Sequence, residues 1–171
     1  AGLVNNLPKS SASILTKLNT PKDTLLYSKA MESAITLVKN NNDKIQIDPG
    51  RKYLHVNFGE DGKAFYNQLN RTNNIDSYDK DSYESLYQKT DYESIIITYH
   101  GSNSSPYNSY KIPKDVLDII DSISLNNEVI LNLFLNPYSL NSFNSLDNIE
   151  SIIISYQNSV ISQEISADLI S

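Results

Sequence analysis

EVILNLFLNPYSLNSFNSLDNIESIIISYQ, residues 128–157, is the stretch from which the fold can be read. Val129, Ile130, Leu131, Leu133 and Phe134 form an almost unbroken apolar run, and Ile152, Ile153 and Ile154 form a second. A strand covered on one face alternates apolar and polar residues, whereas a strand covered on both faces runs continuously apolar. Two such runs separated by about sixteen residues with a short helical turn predict parallel strands joined by a crossover, not a hairpin. Pro137 lacks an N–H and disfavours helix at Asn136, so the first strand ends there. Its carboxyl end opens into Asn136-Pro137-Tyr138, at the edge where ligands of open α/β sheets usually approach.

Working outward, strands and helices alternate. Thr20-Pro21 with Asp23 is a helix start, with Thr as N-cap and Pro at the first helical position. Leu26, Ala30, Ala34, Leu37 and Val38 then recur at helical spacing and predict one apolar face as far as Lys39. Asp48-Pro49-Gly50 is a turn. Strands are expected near Tyr53, Ile75 (an edge), Ile95, Val129 and Ile152. Helices are expected over 63–71, 82–89, 113–125 and 159–170, the last with Ile161, Ile165 and Leu169 on its inner stripe. A further short helix is expected over 10–18. Connections long enough for right-handed crossovers then give a three-layer α/β sandwich with a five-stranded parallel sheet in the flavodoxin-like order 2-1-3-4-5.

At 171 residues the chain is of single-domain length. A net charge of −6 argues against nucleic acid, because phosphate binding needs clustered Lys and Arg. No apolar run is long enough for a membrane span. Without cysteine there are neither disulfides nor thiolate metal sites. Two histidines far apart do not make a metal site, and no cofactor is expected.

Three loops invite a chemical reading. Gly59-Glu60-Asp61-Gly62 sits between a strand and a helix, where a phosphate loop would. Two adjacent carboxylates would repel a phosphate, so an acidic first turn complementing the helix dipole is the better reading. Glycoside hydrolysis usually needs two carboxyl groups about 5–9 Å apart across the scissile bond. Glu60 and Asp61 are the carboxylates of the loop after the first strand, and neighbours in sequence cannot straddle a sugar. No Ser-His-Asp turn is present. His100, at a strand end before Gly101, can titrate near neutrality and reach a ligand, or else hold the loop 102–105 in shape. His55, inside a strand, is structural. Tyr107 and Tyr110 could stack on sugar rings, although loop aromatics more often pack down on the domain.

NPYSLNSF followed by a strand and SYQNSVISQEISADLI resembles the C-terminal domain of family 3 glycoside hydrolases of the β-N-acetylhexosaminidase type. AMESAITLVKNN (30–41) is similar to that family's interdomain helix, and IIITYHGSNSSP (95–106) to its mid-domain strand and loop. The resemblance covers residues 20–170 and implies a division into a connector, 1–19, and a glycoside hydrolase family 3 C-terminal-like α/β domain, 20–171. It implies that the nucleophilic Asp and, in this branch, the acid/base His belong to an N-terminal barrel domain of the same parent chain. That barrel would be the domain's partner and would bring the carbohydrate substrate. The glucosidase branch carries its acid/base Glu in the C-terminal domain, and no counterpart is found here. No catalytic residue is therefore expected in this chain. His100, Ser102, Asn103, Asn136 and Tyr138 are the candidates for substrate or interdomain contact. Both ends read as cut, and the resemblance implies a secreted or periplasmic bacterial enzyme. The alternatives are a stand-alone flavodoxin-like ligand- or partner-binding module and a partner-binding scaffold.

Overall fold

The computed structural model describes residues 20–79, 92–104 and 110–171. Helix α1 (Pro21–Ala34) starts at a capping box. The Thr20 hydroxyl accepts the Asp23 N–H at 3.3 Å, and the Asp23 carboxylate accepts the Thr20 N–H at 2.9 Å. The helix does not reach Lys39. Ile35 leaves helical geometry (φ −54°, ψ 126°), and Thr36–Asn40 forms strand β1, antiparallel to the last strand of the sheet. β-Branched Ile35, Thr36 and Val38 favour extended backbone, and the edge of the Ile152–Ile154 strand would otherwise be unpaired. The predicted apolar face fails with the helix. Leu26, Leu37 and Val38 are exposed, as are Ala30 and Ala34, and Met31 is the buried residue of α1.

The remaining strands are β2 (Lys52–Gly59), β3 (Asn74–Asp79), β4 (Ile95–His100), β5 (Val129–Phe134) and β6 (Ser151–Ile154). Helices α2 (Lys63–Leu69), α3 (Lys114–Ser124) and α4 (Val160–Ile170) connect or follow them. The sheet order is β1-β6-β5-β4-β2-β3. Five strands are parallel in the expected 2-1-3-4-5 order, and the sheet has a sixth, antiparallel edge strand beyond the five predicted. Strands β5 and β6 pair in parallel, Leu131 opposite Ile152 and Leu133 opposite Ile154. The helices expected over 10–18 and 82–89 lie outside the described residues.

Both faces of the sheet are covered. Ile152, Ile154, Leu131 and Leu133 pack under α3 with Val116, Ile119, Ile120 and Ile123. Ile153, Ile130 and Phe134 face the other way, toward Phe65 and Leu69 of α2 and Ala167 and Ile170 of α4. Successive side chains of one strand thus enter two cores, which is why these strands read as continuous apolar runs. The buried side of α4 is not its isoleucine stripe. Ser162, Gln163, Ser166, Ala167 and Ile170 face the sheet, while Ile161 and Ile165 are half-buried and Leu169 is exposed. Small residues let the helix approach closely, and its hydroxyls are satisfied. Buried Asn132 donates to the Ser166 hydroxyl at 2.5 Å and accepts from Ser155 at 2.8 Å.

Candidate functional site: the carboxyl edge of the sheet

In a parallel sheet of this order the ligand crevice lies beyond the carboxyl ends of the paired strands β2 and β4, where the chain order reverses. Here the chain's own groups occupy it. The Glu60 N–H donates to the His100 carbonyl at 2.8 Å, tying the loop after β2 to the end of β4. Gly59 has φ +83°, and a Cβ there would stand 2.2 Å from that same carbonyl oxygen. A Cβ on Gly62 would stand 2.5 Å from Nε2 of His100 and 2.4 Å from Oδ1 of Asn57. The two glycines therefore serve close packing against β4 and not backbone approach to a phosphate. Asp61 Oδ1 accepts the Lys63 N–H at 3.0 Å, at the start of α2. Gly59→Ala should cost about 2–4 kcal/mol, from the left-handed backbone and from overpacking together. Gly50→Ala, whose Cβ would meet only the Asp48 side chain at 3.3 Å, should cost much less. Urea midpoints check this, and equal midpoints for the two variants would refute the role of Gly59.

Asn158 is the hub of the edge. The Phe65 N–H donates to Oε1 of Gln163 at 3.0 Å, which fixes that amide, so its Nε2 is the donor. Nε2 gives hydrogen bonds to the Asp61 carbonyl (3.0 Å) and to Oδ1 of Asn158 (2.7 Å). That second bond identifies Oδ1 as oxygen, so Nδ1 of His100, 2.9 Å away, carries the proton and donates to it. Asn158 Nδ2 turns toward Glu60 Oε2 at 3.4 Å. Asn103 donates to the Asn158 carbonyl at 3.0 Å. Tyr156, with φ +58°, turns the chain out of β6 so that Asn158 lies over the edge. A left-handed tyrosine costs roughly 1–2 kcal/mol, which this bonding offsets.

His100 is 1% exposed and stacked on Phe134, ring centroids 4.3 Å apart. Burial pushes its pKa down to about 4, against the opposing pull of the Asn158 hydrogen bond and of Asp61 and Glu60. Its Nε2, unprotonated in this tautomer, is buried against Gly62 with no hydrogen-bond partner among the described residues. The ring can therefore position the edge but cannot hand a proton to a ligand outside. His55 is buried too. It donates through Nε2 to Thr98 (2.8 Å), which donates to Asn57 (3.3 Å), and burial takes its pKa down to about 3.

The five residues singled out from sequence fall into two groups. His100 and Asn103 meet at Asn158. Ser102 bonds Ser104 at 2.7 Å within its own loop. Asn136 and Tyr138 stand at the end of β5, where the Asn136 side chain accepts the Tyr138 N–H at 3.0 Å. Asn158 and Gln163, which organise the edge, were not foreseen, and nothing in their sequence context marks them as more than polar positions of a helix start. At the opposite edge, a cavity holds the Lys44–Glu128 and Arg51–Glu93 ion pairs. Among the described residues no three His, Cys, Asp or Glu side chains could hold a metal ion, and no helix is long and apolar enough to cross a membrane.

The fold and its edge define a doubly wound α/β sandwich whose usual crevice is closed by its own side chains. Solved structures with this architecture include a glycoside hydrolase family 3 β-N-acetylglucosaminidase from Paenibacillus, with 14% identity and TM-score 0.65, matched over 100% of this chain and 34% of that one. A β-glucosidase from Listeria innocua matches with 12% identity and TM-score 0.72, over 99% of this chain and 27% of its own. A β-glucoside phosphorylase matches with 15% identity and TM-score 0.67, over 89% and 30%. The chain thus spans about a third of the length of these proteins, and at such identities the likeness is one of fold. No protein-family model and no curated protein matches the sequence.

Proposed function

We propose that residues 20–171 are the C-terminal α/β domain of a glycoside hydrolase of the β-N-acetylhexosaminidase type, and that an N-terminal barrel of the parent chain performs the hydrolysis. The observation that carries this reading is the filled carboxyl edge. Among the described residues at the ends of β2 and β4 the carboxylates are the neighbours Glu60 and Asp61, and the histidine there is walled in, which favours acid/base and nucleophilic groups supplied from elsewhere. The fold shared with sugar-acting enzymes, matched over about a third of their length, supports the same division of labour. The sealed crevice also disfavours a stand-alone flavodoxin-like module, which would need that space open. In this role the Asn158 hub makes the edge a rigid wall for a neighbouring domain.

The purified chain is expected to release no phenol from an aryl N-acetyl-β-glucosaminide, whereas the parent chain containing the barrel should turn it over. In that parent, His100→Gln should leave kcat within a few-fold and act mainly on KM or on domain association. Turnover by the isolated chain that survives repurification and disappears in His100→Ala would overturn the proposal.

A further inference from the structure

Three neighbouring strands of the sheet open on a glutamate. Glu93-Ser94 leads into the isoleucines of β4, Glu128 into β5, and Glu150-Ser151 into the isoleucines of β6, so that Glu-Ser-Ile-Ile-Ile occurs twice, at 93–97 and 150–154. Because β4, β5 and β6 lie side by side and parallel, the three acids share the amino edge of the sheet, opposite the His100–Asn158 hub. Parallel neighbours stand about 4.8 Å apart, so the carboxylates repel one another unless cations intervene.

Two of the three are answered from the chain between β1 and β2. Lys44 pairs with Glu128 at 3.2 Å, and Arg51 pairs with Glu93. Glu150 has no such partner among the described residues, and its Oε2 is buried without a hydrogen bond. Lys39 of β1, the strand beside β6, gives its ammonium instead to the Leu146 and Asp147 carbonyls, at 2.9 and 3.0 Å. A carboxylate oxygen withdrawn from water with no donor is costly, and an arriving cation removes that cost.

The two ion pairs and Glu150 line one cavity of about 190 Å³, floored by Tyr53, Val129 and Ile130. Ser94 lines it too. This serine is 7% exposed, and its hydroxyl has no partner among the described residues. With Asp48, the lining carries four carboxylates against two cations, an excess of two that favours a doubly cationic guest. Among the described residues no three acids converge on a metal position. The space is smaller than the roughly 300–1,000 Å³ of a drug-sized site, which points to a guest of side-chain size. Glu150 and Ser94 flank the mouth of β5, two strand spacings or about 10 Å apart along the sheet. A glutamate side chain and a short extended methylene chain together close that gap.

We propose that this cavity binds a short aliphatic diamine. One ammonium pairs with Glu150, the methylenes cross the mouth of β5 over Val129 and Ile130, and the other ammonium meets the Ser94 hydroxyl between Glu93 and Glu128. The site lies at the opposite edge from the sealed crevice and is independent of the reading as a hydrolase domain, so either can fail without the other.

The test is a titration of the isotope-labelled whole chain, followed by amide NMR at low salt, with cadaverine up to about 20 mM to reach the millimolar affinities expected of partly exposed ion pairs. Saturable shifts are expected at Ser94, Val129 and Ser151. Glu150→Gln should weaken binding at least about tenfold, because a charge-assisted contact is lost, and Ser94→Ala about threefold. Glu32→Gln, which removes a charge from exposed α1, should bind as wild type does. Pentylamine, with one ammonium, should bind several-fold more weakly, and neutral pentanediol should not bind. Circular dichroism melts check that the variants fold; should Glu150→Gln not fold, Ser94→Ala and the pentanediol comparison still decide. Absence of saturable shifts, or pentylamine or pentanediol binding as tightly as cadaverine, would overturn the inference. So would equal weakening by Glu32→Gln and Glu150→Gln, which would reduce the effect to diffuse attraction between a diamine and an acidic chain.

Discussion

Ile153→Asp is expected to leave no cooperatively folded domain at pH 7. Ile153 is 0% exposed, at the centre of β6, opposite Asn132 of β5 and Leu37 of β1. It packs with Ile130, Phe134, Ala167 and Ile170. The substitution removes an apolar side chain whose burial stabilises by about 1.5–3 kcal/mol, and it puts a carboxyl group into a cluster of buried apolar side chains. The nearby polar groups do not help. Asn132, Ser155 and Ser166 are already bonded to one another, so an incoming carboxylate would break that set to satisfy itself. An unpaired buried charge costs several kcal/mol more, and a domain of this size has about 5–15 kcal/mol in total. Ile153→Val, which keeps the shape, should cost about 0.5–1.5 kcal/mol, and exposed Glu32→Ala should be nearly silent. Thermal melts by circular dichroism distinguish these outcomes. A sigmoidal melt of Ile153→Asp near that of wild type would mean that β6 is not covered on both faces.

The same strand shows why much of the fold was legible. Ile152-Ile153-Ile154 and residues 129–134 can be continuously apolar only if helices cover both sides, and that condition with long connections fixes parallel pairing. What escaped the pattern has local causes. Thr36–Asn40 carries on the helical spacing of α1, and spacing cannot reveal that the edge of β6 needs a partner more than α1 needs another turn. On α4 the large side chains mark the wrong face. Serines and an alanine face the sheet because closeness, not bulk, fits there, and a hydrophobic stripe cannot report that. The edge itself was half legible. His100 and Asn103 stand in a loop that draws attention, whereas Asn158 and Gln163 acquire meaning only once the left-handed Tyr156 turns them over the ends of β2 and β4.

Acid should unfold this protein through its two histidines. Both are held neutral in the fold, His100 with a pKa of about 4 and His55 of about 3, against 6.5 for a free imidazole, and in both burial is the main cause. For His55 the proximity of His100 adds to the effect, since one imidazolium would repel another. The sign follows from proton counting. Between pH 6.5 and about 4 the unfolded chain binds protons that the folded chain refuses, so stability falls as pH falls. The stabilisation is complete above pH 6.5, is lost progressively below it, and levels off for His100 near pH 4. Each pKa unit is worth about 1.4 kcal/mol, so the depression of His100 alone amounts to about 3 kcal/mol. By pH 4 His55 adds a comparable amount, and the sum is of the same order as the whole stability of a domain. Neighbouring charge does little to rescue it. Glu60 and Asp61 pull His100 upward, yet burial outweighs them, and its bare Nε2 would acquire a proton with no acceptor in place. Urea unfolding is therefore expected to show midpoints that fall steeply from pH 7 to pH 4.5. His100→Gln, whose amide can still donate to Asn158, should flatten that slope by about half. With only two histidines in the chain, NMR can follow each ring directly. Native-state titration of either ring between pH 6 and 7 would contradict its burial and remove the basis for the acid sensitivity.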